Sequence, residues 1–295
     1  MPLRDRIERL APALLGWLGS PSAKPAETPS ELGSAEVENR LVAAAVPAVL
    51  VASARESSFS KIGGSPDVDS GFVWPTWKGR SLAFLAQLDL AEVGHAHAPA
   101  WLPRAGRLWF FYEVEQSTWG FDPNDRGSWR VLFSPTPAAP VEGAATPADV
   151  PEHARYRERR VSFRSGRSLP SIERTFPSDA IADDAFERVE ELTRRGGEPL
   201  HQIGGFPTPV QGDEMELESQ LASSGVYVGD ATGYDSPHRA ALEAGAAEWR
   251  LLLQLDSDDD ASMMWGDAGR LYFWIRESDA RAGRFDDVWM VLQCY

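Results

Sequence analysis

One cysteine, Cys294, stands in a chain of 295 residues. An internal disulfide is thereby excluded, as is a metal centre built from several thiolates of one chain. Thiol poverty of this kind predicts a reducing, cytoplasmic setting. Long apolar runs near the start are also missing: the stretch from Leu10 to Leu18 is far shorter than the ~20 residues a membrane-spanning helix needs, so no membrane span is expected. Positive charge is scarce, since 29 Lys and Arg against 44 Asp and Glu leave a formal charge of -15. A polyanion meets repulsion on such a surface instead of releasing counterions, which argues against nucleic acid and anionic membrane as partners. Solubility is the plain reading of that charge. There is no Gly-x-Ser-x-Gly, no His-Glu-x-x-His and no Cys-His pair in a credible context.

What is present is a globular composition, with 43% hydrophobic and 25% charged residues. A chain of this length and make-up buries a substantial core, as one large domain or as two closely joined halves. Residues 1–33 read as a separate N-terminal segment. Leu3, Ile7, Leu10, Leu14 and Leu18 recur at helical spacing, Asp5 and Glu8 interrupt what would be the basic leader of a signal peptide, and a flexible Pro/Ser/Ala tether follows. Ser34 is positioned to cap a helix running to about Ala45, Pro47 should end it, and "AVLVASA" reads as a strand.

Two phrases, "KIGGSP" at 61–66 and "QIGGFP" at 202–207, share an Ile-Gly-Gly-x-Pro core. Three further pairs follow in the same order: "FLAQLDL" (84–90) with "LLLQLDS" (251–257), "GRLWFFYE" (106–113) with "GRLYFWIRE" (269–277), and "SWRVLF" (128–133) with "VWMVLQ" (288–293). Ordered matches of this kind predict a duplication. A 34–295 domain would contain two β-rich repeats, about 48–135 and 199–295, each covering an apolar face of the other. A Pro/Ala stretch, an Arg-rich stretch and a helix over 180–195 would join them. Because residues two apart share a face of a strand, Gln87 and Asp89 share a face in the first copy as Gln254 and Asp256 do in the second. The third pair is apolar on both faces, which predicts strands buried on both sides. Between Gly205 and Gln254 the second copy also carries two helical stretches, "DEMELESQLASSG" and "SPHRAALEAGAAEWR".

The phrases "KIGGSP", "HQIGGFP" with its following "QGD", "LLLQLDSDDD", "MMWGDAGRLYFWI" and the closing "VWMVLQCY" together resemble the YwqG-like family, over Ser34 to Tyr295 and most specifically toward the C-terminus. Ile62 departs from the Phe that relatives more often carry there. The resemblance implies an α+β fold, predominantly antiparallel sheet with flanking helices, in a family described as of unknown function. It supplies no catalytic residue.

Candidate chemistry is read from the residues themselves. Adjacent glycines permit positive φ, and the following Pro fixes the exit direction, so the doubled phrase reads as a structural turn. A phosphate loop would also use glycines but needs a longer frame and a helix behind it. In "QLDSDDDASMMWGDAG", Asp256, Asp258, Asp260 and Asp267 fall at positions 1, 3, 5 and 12 of a calcium-loop pattern. Ala261 stands where that loop needs glycine, and the flanks read as strands. The alternatives are a divalent cation site or a solvated acidic loop. His201 precedes the second glycine pair and Asp213 follows it, a possible base and orienter if the turn brings them together. His95 and His97 lack a third ligand nearby. The Arg-rich stretch 155–174 suits a phosphate or acidic partner, or pairing with the chain's own acidic half.

Two functions follow. The first is a cytoplasmic, non-enzymatic binding module with a protein partner, using Gln254, Asp256, Asp258, Asp259, Asp260, Trp265, Asp267 and His201 near the junction of the halves. The alternative is a divalent-cation-dependent enzyme of the hydrolase class, with Asp256, Asp258, Asp260 and Asp267 as ligands and His201 as proton carrier. No other cofactor is expected, and the sequence sets no oligomeric state.

Overall fold

Branched and aromatic residues fit a pleated, buried surface, and the stretches rich in them are extended in the structure, a computed structural model that describes residues 32–54, 58–68, 71–136, 143–176, 183–194 and 199–295. Residues 1–31 of the N-terminal segment expected over 1–33, and the middle of the Pro/Ala stretch, lie outside the described residues. The strands are β1 (Val46–Ser53), β2 (Lys61–Ile62), β3 (Thr76–Trp77), β4 (Arg80–Ser81), β5 (Ala83–Asp89) and β6 (Arg107–Tyr112). They continue with β7 (Trp129–Ser134), β8 (Arg159–Ser168), β9 (Gln202–Ile203), β10 (Trp249–Asp256), β11 (Arg270–Arg276) and β12 (Trp289–Gln293). Ten of them form one sheet in the order β12, β11, β10, β9, β1, β8, β2, β5, β6, β7, while β3 and β4 pair separately. Every pairing in the sheet is antiparallel.

The fold is therefore α+β with a large antiparallel sheet, curled until nearly barrel-shaped. Where two sheets closing over each other were expected, there is a single continuous one. Its two edge strands meet: Trp129 Nε1 donates to Val288 O at 2.9 Å and Trp289 Nε1 to Gly120 O at 2.8 Å. In the core Phe110 and Phe273 meet edge to face at 5.1 Å, and Trp129 and Trp289 do so at 4.9 Å, a geometry that aromatic quadrupoles favour. As the two-faced apolar pattern predicts, β6 is buried throughout and β11 is buried over Leu271–Ile275.

Outward from β1 the order is β9, β10, β11, β12, and outward from β8 it is β2, β5, β6, β7. The ladders match in detail. A bulge falls between Phe84 and Ala86 where β5 meets β6, and another between Leu251 and Leu253 where β10 meets β11. The fourth pair of phrases does not match at the register read from sequence. Trp129 lies opposite Tyr112, whereas Trp289 lies opposite Trp274, the counterpart of Phe111. A slip of one residue turns each side chain to the other face, so Trp129 and Trp289 are not equivalent.

The Arg-rich stretch holds β8, which pairs along the whole of β1 from Val46–Ser168 to Ser53–Val161 and reaches β2 with Arg159 and Arg160. Helix Ser34–Ala44 has Gly33 rather than Ser34 at its N-cap. It packs Val37 and Leu41 with Ile172, Phe176 and Ala185, the last from helix Asp183–Arg194. In the 206–248 region, helix Met215–Ser223 buries Met215 and Leu221. The second expected helix there is broken into Arg239–Leu242 and a 3-10 run Glu243–Glu248, and a further short helix, Ala231–Tyr234, lies before it.

Candidate functional site

β10 ends at Asp256 and β11 begins at Arg270, and the connection between them folds back on itself. Asp258 N donates to Met263 O at 2.8 Å and Met263 N to Asp258 O at 2.9 Å, around a 3-10 turn Asp259–Ala261. Ser262 closes that turn in the left-handed region at φ 57°. The Asp258 side chain starts it, with Oδ1 accepting from Asp260 N at 3.0 Å and Ala261 N at 3.2 Å. Its other oxygen accepts from Arg159 Nη1 and lies 3.3 Å from His201 Nε2. Burial pushes the pKa of this carboxyl up, but His201, the Ala261 N–H and the Arg159 charge outweigh it and hold the value down to about 2.

Asp256 is equally engaged. Oδ2 accepts from Leu200 N at 2.8 Å, Oδ1 accepts from Ser257 N at 3.0 Å, and Arg270 Nε lies 2.9 Å from Oδ1. Trp265 is fully buried, donates Nε1 to Asp256 O at 3.1 Å and packs edge-on against Tyr156 at 5.3 Å. Gln254 is fully buried as well, between Thr208 N at 2.8 Å and Leu200 O at 2.6 Å. His201 accepts from Asp256 N on Nδ1 at 2.9 Å. A neutral ring therefore carries its proton on Nε2 and donates it to Asp258. The structure thus brings Asp256, Asp258, Trp265 and His201 together as the buried support of the hairpin, with Gln254 buried on the same strand as Asp256 and bonded to the glycine turn. Asp259, Asp260 and Asp267 stand on its exposed side, with the Asp260 side chain 81% accessible.

This arrangement limits the available chemistry. The carboxylates of Asp256 and Asp258 spend their oxygens on internal donors, and among the described residues no group of three or more His, Cys, Asp or Glu is placed to hold a metal ion. Both ring nitrogens of His201 are occupied within the protein. Asp213 does not meet His201; it pairs with Arg174 at 2.7 Å. His97 bonds Ser165 Oγ through Nδ1 at 2.9 Å.

The exposed side of the hairpin carries apolar groups beside its acids. Met264 is 47% and Tyr295 57% accessible, with Trp119 at 37%. Backbone and amide contacts hold them in one neighbourhood: Gln116 Nε2 donates to Met264 O at 2.9 Å, Tyr295 N to Asp267 O at 3.0 Å and Leu292 N to Trp119 O at 3.1 Å. Arginines of the stretch once open to a phosphate turn inward here. Arg157 Nε donates to Ser262 Oγ at 2.6 Å, and Arg159 lies 3.6 Å from Asp260 in addition to its bond with Asp258. Sequence reasoning weighed this pairing in general terms but missed Arg157, Arg159 and Arg270 as hairpin anchors. The available signal was Arg270 itself, directly opposite Asp256 on paired strands, as Arg107 is opposite Asp89.

The family described as "Domain of unknown function (DUF1963)" matches residues 60–294. The chain belongs to this family. In this DUF1963 chain the matched stretch takes in both glycine turns, the hairpin and all the sheet strands except β1. No curated protein matches the chain.

Proposed function

We propose that this DUF1963 protein is a non-enzymatic binding module whose partner is a protein presenting basic and apolar groups to the outer side of the 258–268 hairpin. Asp259, Asp260 and Asp267 would meet the basic groups, while Met264, Trp119 and Tyr295 would supply apolar contact. One observation carries the reading: the candidate residues divide into a buried set engaged in internal bonds and an exposed acidic set, Asp259, Asp260 and Asp267, beside which Met264 and Trp119 are also exposed. The net charge of -15 supports a basic partner and disfavours nucleic acid, and a single, buried cysteine suits the cytoplasm.

The same reading treats the chain as two related copies of the YwqG-like type. Its support lies in the matched strand orders and bulges. In sequence β1 opens the first copy, yet it pairs with β9 of the second; β8 precedes the second copy and pairs with β2 of the first. Each copy would thus lend its leading strand to the other. The docking surface is tested by replacing Met264 with a photo-crosslinking phenylalanine in the full chain. A partner crosslinked through a Lys/Arg-bearing segment supports the reading; no stoichiometric adduct, or one through an acidic segment, rejects it.

A further inference from the structure

β9 is only two residues long, so β1 and β10 are bridged by the pairs Val49–Ile203, Leu50–Gln202 and Gln202–Gln254, and then part. The space between them is a groove of about 460 Å³ beside the Gly204–Gly205 turn. Rings dominate its walls: Trp101, Trp249, Trp274, Phe206, Pro47 and Pro99. The corresponding place in the other half, where β2 bridges β8 and β5, is occupied by Tyr156. There Gly64 N donates to Tyr156 O at 2.9 Å, and Trp265 packs on the Tyr156 ring.

Two further observations define what the open groove suits. Its charges are already paired, Arg174 with Asp213 at 2.7 Å and Glu216 at 2.9 Å, and Arg250 with Glu277 at 3.0 Å. A charged ligand would have to break one of those pairs, whereas a neutral one would not. The Trp274 side chain is 1% exposed, and among the described residues its Nε1–H has no acceptor. Buried donors are nearly always paired in native proteins. The complement to this site is an uncharged chain with free carbonyls and rings that pack on Phe206, Pro47 and Pro99.

We propose that this groove binds a proline-rich segment of a partner protein in the polyproline II conformation. One peptide carbonyl accepts from Trp274 Nε1–H as the groove opens around it, and pyrrolidine rings pack on Phe206, Pro47 and Pro99, the wall rings that reach the surface. Polyproline II leaves its carbonyls free, proline brings no N–H that would need an acceptor, and the conformation is already ordered before binding. The groove shares no residue with the hairpin surface, so the two sites stand or fall separately.

The probe is a synthetic Ala-Pro-Pro repeat peptide of about twelve residues, titrated into the full-length protein labelled with nitrogen-15 while the indole N–H resonances are followed. The Trp274 resonance should shift and saturate with a dissociation constant below about 1 mM. Trp274→Phe keeps a ring and removes the donor, and it should weaken binding about tenfold, the loss of roughly one hydrogen bond. Phe206→Ala removes a partly exposed ring from the wall and should weaken it comparably, while Asp259→Asn in the hairpin leaves it unchanged. An unmoved Trp274 resonance overturns the proposal. So does full affinity in both ring variants, or equal binding of an Ala-Ser-Gly peptide of the same length.

Discussion

Gln87 and Gln254 hold the same bonds on opposite halves of the sheet. Gln87 donates Nε2 to Phe59 O at 2.7 Å and accepts on Oε1 from Asp67 N at 2.8 Å; Gln254 donates to Leu200 O at 2.6 Å and accepts from Thr208 N at 2.8 Å. Phe59 to Asp67 and Leu200 to Thr208 each enclose one Ile-Gly-Gly-x-Pro phrase, so a buried amide ties the two ends of each glycine turn. The neighbours agree: Trp109 Nε1 donates to Asp67 O at 3.0 Å, as Tyr272 OH does to Thr208 O at 2.7 Å. Replacing either glutamine with leucine leaves a backbone N–H and a carbonyl without partners in the core. Gln87→Leu and Gln254→Leu should each cost on the order of 2–4 kcal/mol, measured by urea unfolding, and by similar amounts.

The turns themselves require glycine. Gly63 and Gly64 sit at φ 66° and 74°, and Gly204 and Gly205 at 69° and 74°. A Cβ on Gly63 would lie 2.3 Å from the Arg157 carbonyl oxygen, while one on Gly225, at φ 94°, would meet nothing within 4 Å. Gly63→Ala should therefore destabilise by more than about 3 kcal/mol, and Gly225→Ala by about 1 kcal/mol from backbone conformation alone. Equal losses in thermal unfolding would contradict the packing argument.

Glu218 gives the fold a pH dependence near neutrality. Burial raises its pKa from 4.5 to about 7, against a lowering bond from Tyr234, while Glu214, Glu216 and Asp213 add to the rise. Between these two values the folded state holds a proton that the unfolded state has released. The contribution is thus full below pH 4.5 and is lost as pH climbs through about 7. Stability should fall by on the order of 3 kcal/mol across that window, and Glu218→Gln should flatten the profile.

Asp258 acts in the opposite sense. Its lowered pKa contributes stability that is present above 3.8 and lost as pH falls through about 2. Asp258→Ala strips Arg159 and His201 of their shared acceptor and uncaps the 3-10 turn, so it should cost on the order of 2–3 kcal/mol at neutral pH. Hydrogen exchange should rise across 257–269 and remain unchanged in β6 and β7.

The same engaged carboxylates set the response to cations. With Asp256 held by Arg270 and Asp258 by Arg159, calcium, magnesium or manganese at about 1 mM should shift the melting temperature by less than ~1 °C. A saturable stabilisation that Asp258→Asn with Asp260→Asn abolishes would restore the cation-dependent alternative.

The strands of the later phrases were legible because their alternation and apolar faces are local properties of the chain. So was the turn role of the two glycine pairs. β8 was not, since Arg159, Arg160, Arg164 and Arg167 dominate its composition while only Val161 and Ser168 are buried, and its partner β1 lies more than a hundred residues away. The hairpin read as an acidic loop for the same reason: what neutralises Asp256 and Asp258 comes from Arg270 and Arg159, and only the sheet brings Arg159 there. The slip between Trp129 and Trp289 was hidden because two similar apolar strings align equally well one residue apart. Trp274 gave no sign of its unpaired donor, since partnership of an indole N–H is set by the insert that covers it.

The most direct test of the account compares the full chain with an Asp259→Lys, Asp260→Lys, Asp267→Lys variant, measuring recovery of the crosslinked partner and the melting temperature side by side. The account predicts that recovery is lost while the melting temperature holds within about 2 °C, as expected of exposed substitutions. Undiminished recovery by the variant would contradict it.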